Sequence, residues 1–244
     1  MSKKFIAKIL DAVWPRECEI CHGEVDRDSR HVCSACLMRL PFASLTGCCK
    51  VCGRAVSNMR YDFLCDDCRG PCAPKFDRAF SAFNFDGCAR DIVIDYKLAR
   101  HFWMREDIVD WLEGALRARF VVTDVDLVVP MPITLAHRFL RGYNQTSDIA
   151  LSLSKRLDRK FSSTCIKRIG SPRRQSSLSE QERRKNAVGT FKVTDPRQVK
   201  GRTVLVIDDT MATGSTMSEC ARELKNSGAH RVWGLTVARS LYNQ

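Results

Sequence analysis

Two adjacent carboxylates, Asp208 and Asp209, stand between an apolar run, Thr203 to Ile207, and the small-residue stretch Thr210, Met211, Ala212, Thr213, Gly214, Ser215 and Thr216. The apolar run reads as a buried strand that delivers both acids to its C-terminal end, where ligands bind in open α/β sheets. The stretch after them reads as a loop opening a helix that runs to Lys225. Its backbone N–H groups and the helix N-terminus can together surround a phosphate. Gly214 permits close backbone approach, and Thr213, Ser215 and Thr216 add hydroxyl donors. Capping a helix needs only one Asp. Two carboxylates beside a phosphate fit an anion carried on a sugar whose hydroxyls they bind, which points to a ribose 5-phosphate. Neither the GxGxxG nor the GxxxxGK[ST] pattern occurs, which excludes a dinucleotide-binding turn and a P-loop.

A second chemistry is written in the cysteines. Ten of thirteen precede position 73, and eight form four Cys-x-x-Cys pairs: Cys18/Cys21, Cys33/Cys36, Cys49/Cys52 and Cys65/Cys68. Each pair can present two thiolates to one metal, and two pairs separated by 11 or 12 residues complete a tetrahedral zinc site. Cys18, Cys21, Cys33 and Cys36 are expected to hold one zinc, and Cys49, Cys52, Cys65 and Cys68 a second, with Gly53 as a knuckle glycine. An interleaved pairing stays open, as does Cys48 in place of Cys49. Four thiolates leave no open coordination position, so both zincs are expected to be structural. No secretory signal is evident, which favours reduced thiols over disulfides and a cytoplasmic location. Cys48, Cys72, Cys88, Cys165 and Cys220 have no partner at ligand spacing and read as small buried hydrophobes.

These residues need a scaffold, and a chain of 244 residues with 44% hydrophobic content can supply one medium domain and a small module. The boundary falls near residue 75: residues 1–74 carry an N-terminal helix (3–14) and the zinc module, and 75–244 alternate between strand and helix patterns, the texture of an α/β fold. Arg78 to Phe85 and Asp126 to Val129 read as strands, the latter ending at Pro130-Met131-Pro132. Asp91 to Leu98, Asp107 to Arg119 and Asn144 to Leu157 read as helices. No apolar stretch is long enough to span a bilayer. The formal net charge of +12 suggests an anionic partner, and residues 167–202, with eleven basic and three acidic residues, carry a surplus of eight.

The acidic loop resembles the signature of the phosphoribosyltransferase superfamily. Over nearly the whole chain the sequence resembles the ComF/GntX family of competence-associated proteins: paired cysteine knuckles, Val129-Pro130-Met131-Pro132, Arg141-Gly142-Tyr143-Asn144-Gln145, and then Gln175, Leu178, Ser179, Arg183, Asn186 and Phe191 ahead of the acidic loop. The resemblance implies a type I phosphoribosyltransferase-like domain, a central, mostly parallel sheet flanked by helices, preceded by a small zinc-ribbon module. It implies that Asp208 and Asp209 meet the ribose hydroxyls and that Thr210 to Thr216 hold the 5-phosphate. Pro130, Met131 and Pro132, with Arg138 and Arg141, would face the pyrophosphate, and residues 172–187, with Gln175, Arg183 and Arg184, would form a hood. Thr210 and Arg138 depart from the family pattern, an aliphatic residue being usual at the first and the arginine falling one place earlier at the second.

The expected ligand is phosphoribosyl pyrophosphate with Mg²⁺, or a nucleotide, and the expected reaction is phosphoribosyl transfer to or from a nitrogen acceptor, linked to DNA uptake. The other reading is a non-catalytic binder of nucleotide or single-stranded DNA, in which the basic hood with Tyr143 and Phe191 tracks the strand. Competence and DNA-processing proteins are the implied partners. A homodimer is left open.

Overall fold

The computed structural model describes residues 16–56, 61–98, 101–134, 144–169 and 189–240. The N-terminal helix expected over 3–14, the hood over 172–187, and Arg138, Arg141, Tyr143, Gln175, Arg183 and Arg184 lie outside them.

Five strands form a wholly parallel sheet: β1 (Arg78–Asn84), β2 (Leu127–Pro130), β3 (Lys160–Phe161), β6 (Thr203–Met211) and β7 (Arg231–Arg239), in the order β1-β7-β6-β2-β3. β4 (Ile166–Arg168) and β5 (Phe191–Val193) pair antiparallel as a separate arm. Two short helices, α1 (Ser34–Arg39) and α2 (Asp66–Arg69), belong to the cysteine-rich segment. Four longer ones flank the sheet: α3 (Gly87–Lys97), α4 (Arg105–Arg119), α5 (Gln145–Leu157) and α6 (Ser215–Asn226).

Alternation along β6 sorts the core into two layers. Leu205 and Ile207 face Ile92 and Val93 of α3, Leu112 and Leu116 of α4, and Ile149 and Leu153 of α5. Val204 and Val206 face Met217, Ala221 and Leu224 of α6 together with Phe191 and Val193 of the arm. Each cysteine-rich ribbon joins one layer: Cys18, Cys33 and Cys36 pack into the first, and Cys49, Cys52 and Cys65 into the second. The arm is fastened to α6, because Gly189 and Val193 donate their backbone N–H groups to Glu219 (2.6 Å) and Glu223 (3.2 Å).

This layering fixes where a ligand can enter. α5 leaves the end of β2 on one face of the sheet, whereas α6 leaves the end of β6 on the other. Adjacent strands whose following helices diverge leave a crevice at their C-terminal ends, the usual ligand position in open α/β sheets. β2 stops at Pro130, the Met131 amide making a last bond to the Ile207 carbonyl (2.7 Å), while β6 runs on beside β7 as far as Met211. The next residue of β6 past the end of β2 is Asp208.

Candidate functional site

The strand carrying the acids is longer than the sequence suggests. β6 continues through Asp208, Asp209 and Thr210, with Asp208 opposite Thr236 and Thr210 opposite Ala238, so the loop proper is Ala212 to Gly214. Both acids are thereby held by a β-ladder instead of a turn.

Asp208 sits deep in the crevice. Burial pushes its carboxyl up to about 8, and the neighbouring Asp209 charge adds to the rise, against the Asp209 amide, Lys97 and Arg168. The Asp209 amide donates to Asp208 Oδ1 (2.9 Å), and the Thr210 hydroxyl donates to Asp209 Oδ1 (2.9 Å). Lys97, from the last turn of α3, places its Nζ 2.9 Å from Asp209 Oδ2. Arg168, at the end of β4, is the other cation near Asp208. Burial lowers its pKa, its guanidinium lies 5.3 Å from the Phe191 ring centre, and its Nε has no hydrogen-bond partner among the described residues.

Beyond the acids, Asp208 and residues 210–217 line a cavity of about 120 Å³. Gly214 caps α6 at φ 80°, a left-handed conformation, and a Cβ there would lie 3.4 Å from Phe76 Cε1. Gly214 has no side chain to cap the helix, no acid lies in its first turn, and the Ser215 amide donates to the Thr213 hydroxyl at 3.3 Å. The α6 N-terminus is therefore open to an anion, with the Thr213 and Ser215 hydroxyls 2.6 Å apart beside it. Pro130 ends β2 opposite Ile207, just short of Asp208, and Met131 and Pro132 follow it, with Pro130 and Met131 buried. Arg138, Arg141, Gln175, Arg183 and Arg184 lie outside the described residues. Lys97 and Arg168 were missed: a lysine ending an amphipathic helix and an arginine in a three-residue strand give no local signal.

The eight paired cysteines meet in two sets, Cys18, Cys21, Cys33 and Cys36, and Cys49, Cys52, Cys65 and Cys68, with all sulfurs of a set within 4.8 Å of one another. A tetrahedron with Zn–S bonds of ~2.3 Å has edges of ~3.8 Å. The Cys21–Cys33 and Cys52–Cys65 sulfurs are 3.8 and 3.6 Å apart, so both sets fit zinc. Burial opposes ionisation of Cys18, but the amides of Cys33, Cys21 and Ile20 prevail and lower it to about 6. Hydrogen bonds from Cys52, Cys65 and Cys68 likewise depress the Cys49 thiol.

The two knuckles share a left-handed residue after their second cysteine, His22 at φ 58° and Gly53 at φ 71°. His22 is exposed. A Cβ on Gly53 would fall 2.7 Å from Phe80 Cδ2, so only glycine fits there. Cys48 is no ligand, and its sulfur accepts a hydrogen bond from Arg119 at 2.8 Å. Cys48, Cys165 and Cys220 are buried as expected. Cys72 is exposed, and Cys88 is half-buried at the edge of the first core layer.

Residues 9–69 match the double zinc ribbon domain and residues 149–240 the phosphoribosyl transferase domain. Competence protein F of Haemophilus influenzae is 25% identical over 228 residues, covering 91% of this chain and 96% of that protein. The similarity thus runs through nearly the whole of both chains. The DNA utilization protein YhgH of Salmonella typhimurium is 28% identical to this chain over 231 residues, covering 84% and 96%. Among solved structures, glutamine phosphoribosylpyrophosphate amidotransferase from B. subtilis, complexed with ADP and GMP, aligns at a TM-score of 0.40 and 14% identity over 59% of the chain. The chain spans 30% of that longer protein. The chain thus joins a double zinc ribbon to a phosphoribosyltransferase-like domain with a parallel sheet. No helix among the described residues is long and apolar enough to cross a membrane.

Proposed function

We propose that this protein binds phosphoribosyl pyrophosphate, or the 5-phosphate of a nucleotide, in the crevice at Asp208 to Thr216 and transfers the phosphoribosyl group to or from a nitrogen acceptor. The observation that carries this reading is the meeting of Asp208 and the start of α6 around one cavity at the sheet's switch point, with Asp209 beside Asp208 on the same strand. The N–H groups at the start of α6 and the hydroxyls of Thr213, Ser215 and Thr216 hold the 5-phosphate. Asp208 and Asp209 accept hydrogen bonds from the ribose hydroxyls, and Pro130 to Pro132, with Arg138 and Arg141, flank the pyrophosphate. Gln175, Arg183 and Arg184 close from above and exclude water.

In the reaction the anomeric C–O bond to pyrophosphate breaks, and pyrophosphate leaves with the electron pair. A bond from the acceptor nitrogen forms at the same carbon, and that nitrogen gives up its proton. Positive charge growing on the sugar comes to lie beside Asp208 and Asp209, whose fixed position favours the transition state over the ground state. Mg²⁺, carried in with the pyrophosphate, would supply Lewis-acid neutralisation of the leaving group. Lys97 holds Asp209 in place until the ligand arrives.

The two four-cysteine sets hold structural zinc, and residues 1–74 form the zinc-bearing part beside a ligand-bearing part, 75–244. The names of the relatives, a competence protein and DNA utilization proteins, support a place in DNA uptake and use.

Titration calorimetry of the zinc-loaded protein with phosphoribosyl pyrophosphate and Mg²⁺ tests the reading. Binding lost in an Asp208→Asn/Asp209→Asn variant is the expected result, and absence of binding by the wild type refutes it.

A second reading, binding of single-stranded DNA or nucleotide without catalysis, is favoured by a different observation. Phe102 and Trp103 are 64% and 39% exposed, an aromatic surface of the kind on which bases stack, next to Arg105, which also pairs with Glu106. Phe191, expected to stack, is buried at 3% and cannot. A single-strand affinity that falls steeply with salt and is weakened by Trp103→Ala, with no pyrophosphate release, would select this reading.

A further inference from the structure

Arg239 joins the second cysteine set to the loop that faces the crevice. It ends β7, is 4% exposed, and its guanidinium forks. Nη1 donates to the Cys52 carbonyl at 2.5 Å, and Nη2 reaches the Ala212 carbonyl at 3.4 Å. Cys52 is a member of the second sulfur set, and Ala212 lies in the loop lining the 120 Å³ cavity. Neighbouring contacts tie the same parts together: the Ser240 amide donates to the Met211 carbonyl (3.1 Å), the Ala79 amide of β1 donates to the Val51 carbonyl of the knuckle (2.6 Å), and Phe76 packs against Gly214.

The charge of Arg239 matters as much as its reach. Among the described residues no carboxylate stands within ion-pair distance of it, yet a buried guanidinium without a counter-charge is strongly disfavoured. A zinc ion held by four thiolates carries a net charge of about −2 and would supply what Arg239 lacks. The first set is wired elsewhere. His31 Nδ1 meets Asp107 Oδ2 of α4 at 2.7 Å, and Glu19 accepts from the Trp103 indole at 2.6 Å.

We propose that Arg239 is a positioning residue through which zinc in the second cysteine set holds the Ala212 loop in its ligand-accepting shape. Zinc there and an anion at the loop then strengthen each other, as reciprocal coupling between two sites requires. The inference rests on the reading of that loop as a ribose-phosphate site.

The test uses the full zinc-loaded chain and the variants Arg239→Gln, Arg239→Lys, Cys68→Ser in the second set and Cys21→Ser in the first. Amide hydrogen exchange over residues 210–217 is compared among them, with zinc content measured in parallel. Exchange should speed on the order of tenfold, within the usual range for coupled sites, in Arg239→Gln and Cys68→Ser but not in Cys21→Ser. Arg239→Lys keeps the charge and loses the fork, so it should retain both zincs and still loosen the loop. A chelator should then release two zincs from the wild type, one of them more slowly when ribose 5-phosphate is present, and this slowing should vanish in Arg239→Gln.

Unchanged exchange in Arg239→Gln and Cys68→Ser overturns the proposal, as does equal slowing in wild type and Arg239→Gln. If ribose 5-phosphate neither binds in calorimetry nor slows release, the ribose-phosphate reading fails, and the exchange comparison, which needs no ligand, alone decides the role of Arg239.

Discussion

Asp208→Asn keeps the shape of a half-buried side chain and deletes its charge. The wild-type carboxyl is pushed up to about 8 from an ordinary 3.8, by burial first and by Asp209 second. The folded protein therefore holds this proton more tightly than the unfolded chain does. Its stability falls as pH rises through the interval between those values, and the loss is complete above the folded value. At ~1.4 kcal/mol per pKa unit, the loss grows by about 3 kcal/mol between roughly pH 5.5 and 9. Asparagine has no such dependence. Urea unfolding of the two zinc-loaded proteins at both pH values should thus show the free-energy difference swinging toward the variant by about 3 kcal/mol as pH rises. A difference that stays constant with pH would refute the argument. A swing toward the wild type would mean that Lys97 and Arg168, and not burial, set the state of Asp208.

Ribose 5-phosphate added with Mg²⁺ near pH 7 should release close to one proton as Asp208 ionises beside the incoming cation, and essentially none near pH 9; calorimetry in buffers of different ionisation heat reads this directly. Gly53→Ala should cost at least 2 kcal/mol, from the left-handed backbone and the 2.7 Å approach to Phe80, whereas Gly23→Ala, whose Cβ would meet only Cys21 Sγ at 3.5 Å, should change stability by less than about 1 kcal/mol in the same melts. Arg156 holds Glu106 down to about 2, so stability from that pair is present above the ordinary value of 4.5 and is lost as pH falls through 2; Arg156→Met should move the acid-unfolding midpoint upward, as followed by circular dichroism.

The parts of the site that lie close together in sequence were legible in it. The acids, the small residues after them and Gly214 occupy one stretch whose polarity, size and backbone demands all favour an anion at a helix start, and the cysteine spacing points to the two sulfur sets, although only the fold excludes an interleaved pairing. Less was visible where distant segments decide the outcome. β6 looks as though it ends at Ile207 because charged residues follow, yet pairing with β7 carries it to Met211. β3, β4 and β5 are two or three residues long and too short to display a period. Lys97, Arg168 and Arg239 reach the site from the end of a helix, an arm and the far end of a neighbouring strand, and only the folded sheet brings them within range. The depth of burial that raises Asp208 likewise depends on where β2 stops.

One helix has two loads. α6 begins at the open amides of the crevice and carries, on its side, the two glutamates that clasp the return strand of the arm. Its 12 residues make a rod ~18 Å long. A stiff rod open at its tip and gripped at its flank by a strand would act as a lever, passing a displacement at Gly214 on to Gly189 and Val193. The arm is therefore tied to the mouth of the crevice through Gly214, Glu219 and Glu223.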